Sequence, residues 1–141
     1  MHLLDVNTLF ALAWDGHEHH DAAHGWFATN APVGFATCHV TQSGFVRLSL
    51  NPKVVGRSIS SAEAFQKLES FTTHPNHRFW DDGPLETSHV IWSYVTGHNQ
   101  VTDTNLFLIA RRNQGKLVTF DGAIRNRVHR NQRDWVEVIG S

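Results

Sequence analysis

Three aspartates, Asp5, Asp103 and Asp121, stand at positions where a parallel α/β domain gathers its active site. Asp5 and Asp121 each follow a short apolar run that is typical of a buried strand. Because the sites of open parallel sheets lie beyond the carboxyl ends of the strands, both side chains are expected at one edge. Asp103 stands where a helical pattern begins, so its carboxylate is also expected to cap the helix. Acids from three distant parts of the chain are therefore predicted to converge.

Carboxylates that lie close together in one site favour the binding of a cation. They repel one another and raise each other's pKa unless a cation neutralises them. Hard oxygen ligands select Mg²⁺ or Mn²⁺ rather than zinc, and such an ion activates water and neutralises charge on a phosphate. The three aspartates thus predict a divalent-metal nuclease centre. Each acid also has a structural interpretation: Asp103 as a helix cap and Asp121 as part of a turn with Gly122, whereas a buried Asp5 needs a partner.

The elements that must position these acids alternate along the chain. Strands are predicted at residues 2–6, 34–38, 77–80, 116–121 and 135–139. Helices are predicted after an Asn7 cap and over residues 17–29, 40–50, 85–95 and 103–110, with a further helix opened by Ser60 or Ser61. Strands that alternate with helices indicate an α/β fold with a parallel sheet covered on both faces. With no repeat or linker, residues 1–141 are predicted to form a single domain.

The composition of the chain indicates a globular protein without disulfides or membrane spans. The chain has 141 residues, 40% of them apolar and 18% charged, which is an ordinary globular balance. From Arg111 onward basic residues outnumber acidic ones, which fits a polyanionic substrate and a solvated helix face equally well. The single cysteine, Cys38, excludes an intramolecular disulfide and fits a reducing cytoplasm. No apolar run approaches the ~18–20 residues that a membrane span needs, so a cytoplasmic protein without a membrane partner is expected.

Four segments, at residues 3–9, 41–47, 101–103 and 118–121, carry a resemblance to a known family. Their sequences, LLDVNTL, TQSGFVR, VTD and VTFD, resemble the successive motifs of PIN-domain ribonucleases, and in particular of VapC toxins from bacterial VapBC toxin–antitoxin modules. The motifs occur in the family's order and spacing over nearly the whole chain. Shorter segments at residues 36–38, 51–52, 79–80 and 97–98 resemble one VapC subgroup.

The resemblance implies a PIN-like three-layer α/β domain with a central parallel sheet of four to five short strands. It implies an Mg²⁺- or Mn²⁺-dependent endoribonuclease, in which Asp5 and Asp103 are metal ligands and Asp121 completes the acidic catalytic pocket. It further implies a toxin that arrests translation by cutting tRNA or rRNA loops. Its partner would be a cognate VapB antitoxin that covers the site, and the toxin would be a homodimer.

One position departs from the family pattern. Where many PIN domains carry a glutamate, this chain has Gln42, whose amide can orient a water but adds no negative charge and cannot act as a carboxylate base. Weaker metal binding is the expected result. Arg47 fits a contact with RNA phosphate and a structural ion pair equally well. The residues predicted to orient the site or the substrate are Asn7, Thr8, Gln42, Arg47 and Thr119.

Other function classes stay open on the sequence alone. A catalytically weakened PIN fold that only binds RNA or antitoxin would follow from the lost charge at position 42. A phosphatase of the haloacid dehalogenase type is suggested by Asp5-Val6-Asn7-Thr8, although Asn7 cannot supply an acid/base carboxylate. A response-regulator receiver would need paired acids after the first strand, and these are missing.

The histidines near residue 20 suggest a zinc site, because His20 and His24 share a helical face. The competing interpretation is exposed helix histidines without a metal.

Overall fold

The computed structural model describes residues 1–140, which are built around a five-stranded parallel sheet in the order β3-β2-β1-β4-β5. The strands are β1 (His2–Leu4), β2 (Phe35–Thr37), β3 (His77–Phe79), β4 (Lys116–Thr119) and β5 (Val136–Val138). β1 is central, with His2 opposite Phe35 on one side and Lys116 on the other. Because every pairing is parallel, the strands' carboxyl ends meet at the same edge of the sheet. Asp5 follows β1 directly at that edge.

Helices connect the strands. Within residues 1–140 they are α1 (Val6–Ala13), α2 (His20–Asn30), α3 (His39–Ser49), α4 (Pro52–Val55), α5 (Ser61–Thr72), α6 (Val101–Arg112) and α7 (Ala123–Arg127). Short 3₁₀ turns occur at Ala31–Val33, Val90–Tyr94, His98–Gln100 and Arg130–Trp135. None of these helices is long and apolar enough to span a bilayer.

Each face of the sheet has its own hydrophobic core. Consecutive strand residues point to opposite faces, so Leu4 and Val118 pack on one side while Leu3 and Leu117 pack on the other. The first core also contains buried residues of α1, α2, α3 and α5, and the second contains those of α6 and α7. The sheet is therefore the middle of three layers, which confirms the predicted α/β fold.

The start of α1 differs from the sequence prediction. Asp5, not Asn7, is the N-cap: its backbone is extended and its carboxylate accepts a hydrogen bond from the Thr8 backbone N–H at 2.8 Å. Only this one residue separates β1 from α1, so the acceptor that the first turn requires must come from it. Asn7 lies inside α1 and is exposed.

The helix predicted over residues 85–95 is also wrong. Only the 3₁₀ turn Val90–Tyr94 forms there, and His89 caps it by accepting a hydrogen bond from the Ile91 backbone N–H at 3.0 Å. The Trp92 indole donates to the Glu86 carbonyl at 2.7 Å, which holds the preceding residues in a loop rather than a helix.

Asp81 and Asp82 lie in the loop that follows β3. Asp81 accepts a hydrogen bond from the Gly83 backbone N–H at 2.9 Å. The Asp82 carboxylate accepts from the backbone N–H groups of His39 and Val40, at 2.7 and 3.0 Å. Asp82 therefore caps α3 from a distant part of the chain, where the dipole of the helix favours a negative charge.

Candidate active site

Asp5 is the most enclosed of the three predicted acids. Besides the Thr8 backbone N–H, the hydroxyl of Thr119 hydrogen-bonds to its carboxylate, and the hydroxyl of Thr8 lies beside it while donating to the Val118 carbonyl at 3.3 Å. Burial raises the pKa of the Asp5 carboxyl above its ordinary value; these hydrogen bonds oppose the rise, and the charge of Asp103 adds to it. Burial thus disfavours the ionised form of this carboxylate, and a bound cation would offset that cost.

Thr119 connects Asp5 to the third acid. It is the buried last residue of β4, and its hydroxyl accepts a hydrogen bond from the Asp121 backbone N–H at 3.0 Å. That leaves the hydroxyl hydrogen for the Asp5 carboxylate. The Asp121 carboxylate accepts from the Ala123 backbone N–H at 2.9 Å and so forms the predicted turn into α7. One hydroxyl therefore links the Asp5 carboxylate to the backbone of the Asp121 turn.

Asp103 has an ionic partner rather than a capping role. α6 begins two residues before it, so the prediction that its carboxylate caps the helix is wrong. Its Oδ1 instead accepts a hydrogen bond from Nη2 of Arg127 at 2.6 Å. The Arg127 side chain is only 9% exposed and that of Asp103 26% exposed. A nearly buried guanidinium of this kind is strongly stabilised by an adjacent carboxylate.

Whether a metal ion would fit depends on the Asp5 and Asp103 carboxylates and on the Arg127 guanidinium beside them. Among residues 1–140, no group of three or more His, Cys, Asp or Glu side chains is arranged to hold a metal ion. The structure does bring Asp5 within electrostatic range of Asp103. Their oxygen-only donors suit Mg²⁺ or Mn²⁺, and the enclosed Asp5 lacks a cation of its own. A metal at this pair would share Asp103 with Arg127.

The structure gives Gln42 a partner other than the acids. Its Nε2 donates to the Thr37 hydroxyl at 3.0 Å, and the same hydroxyl bonds Nε2 of His77 at 2.7 Å. No hydrogen bond joins Gln42 to the three aspartates within the described chain. The side chains of Arg47 and Asn7 are exposed and make no hydrogen bond or ion pair with any residue of 1–140. The roles predicted for Gln42, Arg47 and Asn7 therefore stay predictions.

The histidines near residue 20 serve the end of α1. Nδ1 of His20 bonds the Ala11 carbonyl at 2.7 Å, and Nε2 of His24 bonds the Leu12 carbonyl at 3.1 Å. These carbonyls belong to the last turn of α1, which has no backbone donor of its own for them. The exposed-histidine interpretation is closer to the structure than the zinc interpretation, since both rings contact the backbone.

Arg127 is the site residue that the sequence analysis missed. It lies 24 residues after Asp103, so no local pattern links the two. The one available signal is its position six residues after Asp121, on the short helix that the Asp121 turn begins.

Known proteins resemble this chain over almost its full length. It is 43% identical to "Ribonuclease VapC38" of Mycobacterium tuberculosis over 140 residues, which cover 99% of this chain and 98% of the relative. It is 43% identical to "Ribonuclease VapC39" over 128 residues (86% and 89%) and 38% identical to "Ribonuclease VapC29" over 122 residues (86% and 86%), both of the same organism. No protein-family model matches the sequence.

Proposed function

The chain belongs to the VapC family of ribonucleases, and from this membership we propose that Asp5 and Asp103 form the metal-dependent centre of an endoribonuclease toxin. The observation that supports this most directly is the Asp5 carboxylate. It is enclosed by two threonine hydroxyls, raised in pKa by burial, and placed beside Asp103 at the carboxyl edge of the sheet. A fold that only needed a helix cap would gain as much from an asparagine without the cost of burying a charge.

In this proposal Asp5 and Asp103 hold one Mg²⁺ or Mn²⁺, and Asp121 completes the acidic surface as a further catalytic and metal-binding carboxylate. The ion, when bound, lowers the pKa of a bound water and offsets negative charge on the phosphate. The Thr8 backbone N–H and the Thr119 hydroxyl orient the Asp5 carboxylate by hydrogen bonds. Arg127 holds the Asp103 carboxylate in place through its hydrogen bond to Oδ1.

Exposed polar side chains would contact the RNA. Arg47 and Asn7 have no partner among residues 1–140 and are free to bind phosphate or a 2′-hydroxyl. Gln42 would orient a water at most, because its amide donates to Thr37.

The proposal extends to the biology that family membership suggests. The substrate is a tRNA or rRNA loop, since unpaired bases can be read by a protein surface. A cognate VapB-type antitoxin neutralises the toxin, which acts as a homodimer in the cytoplasm. The phosphatase alternative loses support, because Asn7 lies exposed within α1 while Asp5 is buried.

The test is cleavage of total tRNA and rRNA by the purified protein with Mn²⁺, with Mg²⁺, and with EDTA. Cleavage products are expected with either metal, and EDTA is expected to remove them reversibly. Equal cleavage in EDTA would contradict metal dependence. Retention of RNA without cleavage under every metal condition would favour the binding-module alternative, in which Gln42 has cost the site its chemistry.

A prediction for the Thr119 hydroxyl follows from its link between Asp5 and the Asp121 turn. Thr119→Val keeps the shape of the side chain and removes both hydrogen bonds. Cleavage is expected to fall by about 10–100-fold, the cost usually seen when a partner of a metal ligand is removed. Because the hydrogen bond lowers the pKa of Asp5, its loss raises that pKa, and the acid limb of the pH–rate profile is expected to move to higher pH.

The control for this prediction is Thr29→Val. Thr29 is an exposed threonine of α2 whose hydroxyl donates to the Gly25 carbonyl of the same helix. Its substitution should leave both the rate and the pH profile unchanged. A Thr119→Val enzyme that is slower but keeps the wild-type acid limb would show that Thr119 does not act through the ionisation of Asp5.

A further inference from the structure

A cavity of about 520 Å³, which we refer to as the side cavity, is lined in part by Arg127, the partner of Asp103. One wall is the 3₁₀ turn Val90–Tyr94 with His89, the other is residues 126–129 with 131–132, and Phe107 of α6 also lines it. Arg127 belongs to this lining, and its Nη2 bonds Asp103 at 2.6 Å. A single guanidinium therefore stands between the side cavity and one of the two proposed metal ligands.

The lining combines flat apolar surface with free amide groups. Tyr94 is 58% exposed, and Val90 is exposed beside it. Asn126 is exposed, and its side chain makes no hydrogen bond with any residue of 1–140. The Gln132 side-chain oxygen accepts from Arg111 Nε at 3.0 Å, which leaves its NH₂ group without a partner in the described chain, and the Asn131 amide contacts Nδ1 of His129 at 2.7 Å. None of the lining residues is an aspartate or glutamate.

Arg127 itself is incompletely satisfied. Its side chain is more than nine-tenths buried, and its Nε has no hydrogen-bond partner among residues 1–140. A buried donor without a partner costs free energy, so an acceptor brought in by a ligand would be stabilising. This cation lies in a cavity whose lining offers no carboxylate and several donors, and such surroundings favour an anionic ligand rich in acceptors.

We propose that the side cavity binds an unpaired nucleotide of the RNA substrate, near the phosphodiester that is cut. The proposal rests on the proposed ribonuclease function and deepens it. A base stacks on the exposed Tyr94 ring, and the amide groups of Asn126 and Gln132 read its edge. Arg127 lies between the side cavity and Asp103, so it would be next to the RNA strand that runs from the bound nucleotide toward Asp103. A cationic protein segment is disfavoured, because the lining has no carboxylate to pair with it.

The first test measures binding of fluorescently labelled single-stranded RNA oligonucleotides in EDTA, so that no cleavage occurs. Tyr94→Leu keeps apolar bulk and removes the flat ring. Its Kd is expected to rise about tenfold, which corresponds to a stacking contribution of ~1.4 kcal/mol. The matched control is Phe79→Leu, because Phe79 is 55% exposed on edge strand β3 and does not line the side cavity. Its Kd should equal that of wild type.

A second pair of variants tests the charge of the site. Asn126→Asp places a carboxylate in the lining without changing the size of the side chain, and it should weaken RNA binding at low salt and less at high salt. The control is Gln66→Glu, the same amide-to-carboxylate change at an exposed position of α5. Both sites are exposed, so folding should be preserved, and circular dichroism checks this.

The outcomes separate this proposal from the ribonuclease proposal. If Tyr94→Leu and Asn126→Asp bind RNA as their controls do, the side cavity does not hold a nucleotide. If a hexaglutamate peptide binds wild type but not Tyr94→Leu while RNA binding is unaffected, the cavity serves a protein segment and the proposal is overturned. If the two variants lose RNA binding although wild type cleaves nothing with Mn²⁺, the nucleotide site stands and the nuclease function fails.

Discussion

Asp5→Asn is expected to reduce RNA cleavage by about 10²–10³-fold while leaving the folded protein at least as stable as wild type in EDTA. The loss of activity follows from removing one of the proposed metal ligands, since metal assistance contributes several kcal/mol to such transition states. The stability follows from the cap. An asparagine oxygen still accepts the Thr8 backbone hydrogen bond, but no charge has to be buried.

The stability difference between Asp5→Asn and wild type is expected to depend on pH in a defined direction. Burial raises the pKa of Asp5 above its ordinary 3.8, so the native state holds the proton more tightly than the unfolded chain does. The metal-free wild type therefore loses stability as pH rises from about 3.8 through the folded pKa. Asp5→Asn lacks this dependence, so its stability advantage should be absent at low pH and grow as pH rises.

Urea unfolding in EDTA across this pH range measures the difference. Mn²⁺ should raise the stability of wild type by mass action and leave Asp5→Asn unchanged. Asp21→Asn, in the exposed first turn of α2, is the control and should change neither cleavage nor the response to Mn²⁺. If Asp5→Asn is less stable than wild type at neutral pH without metal, the fold itself compensates the Asp5 charge, and the case for a missing cation fails.

Asp103→Asn is expected to destabilise the protein by about 2–3 kcal/mol. The substitution leaves the guanidinium of Arg127 nearly buried and without a counter-charge. Breaking fully buried pairs costs ~3–5 kcal/mol, and the value here is lower because Asp103 is partly exposed to solvent. The double variant Asp103→Asn with Arg127→Met should recover most of the loss, since it removes the unpaired charge and keeps an apolar stem in place.

The comparison uses the ion pair between Arg57 and Glu63, whose closest atoms are 2.8 Å apart. This pair lies in solvent, so Glu63→Gln should change the free energy of unfolding far less than Asp103→Asn does. Chemical denaturation of all four proteins in EDTA provides the numbers. Equal effects of Asp103→Asn and Glu63→Gln, or a double variant no more stable than Asp103→Asn, would show that Arg127 does not depend on Asp103.

The sequence was sufficient for features that depend on strand order. Apolar runs before Asp5 and Asp121, read as parallel strands, correctly predicted β1 and β4, because a parallel sheet gathers its strand ends at one edge. The cap of α1 was assigned to Asn7 instead of Asp5, since the pattern could not show that a single residue separates strand from helix. Boundaries of this kind depend on backbone geometry rather than on periodicity.

Contacts between segments that are distant in the chain could not be predicted from the sequence. The bond between Arg127 and Asp103 joins residues 24 positions apart, and the side cavity depends on 3₁₀ turns that carry no periodic pattern. Gln42 was expected to act beside the acids because a glutamate stands there in many PIN domains. An ionised glutamate cannot donate a hydrogen bond, but the Gln42 amide can. It donates to the Thr37 hydroxyl instead of contacting the acids.

The central position of β1 has a consequence for how the protein is made. β1 leaves the ribosome before the other described strands, yet its partner β4 lies much later in the sequence, at residues 116–119. Pairing between such distant segments is slow and cannot begin before both exist. A nascent or truncated polypeptide that ends before residue 116 carries Asp5 and Asp103 but lacks the strand that completes the middle of the sheet. The edge of the sheet that carries the proposed metal site is therefore complete only after residues 116–119 have been synthesised.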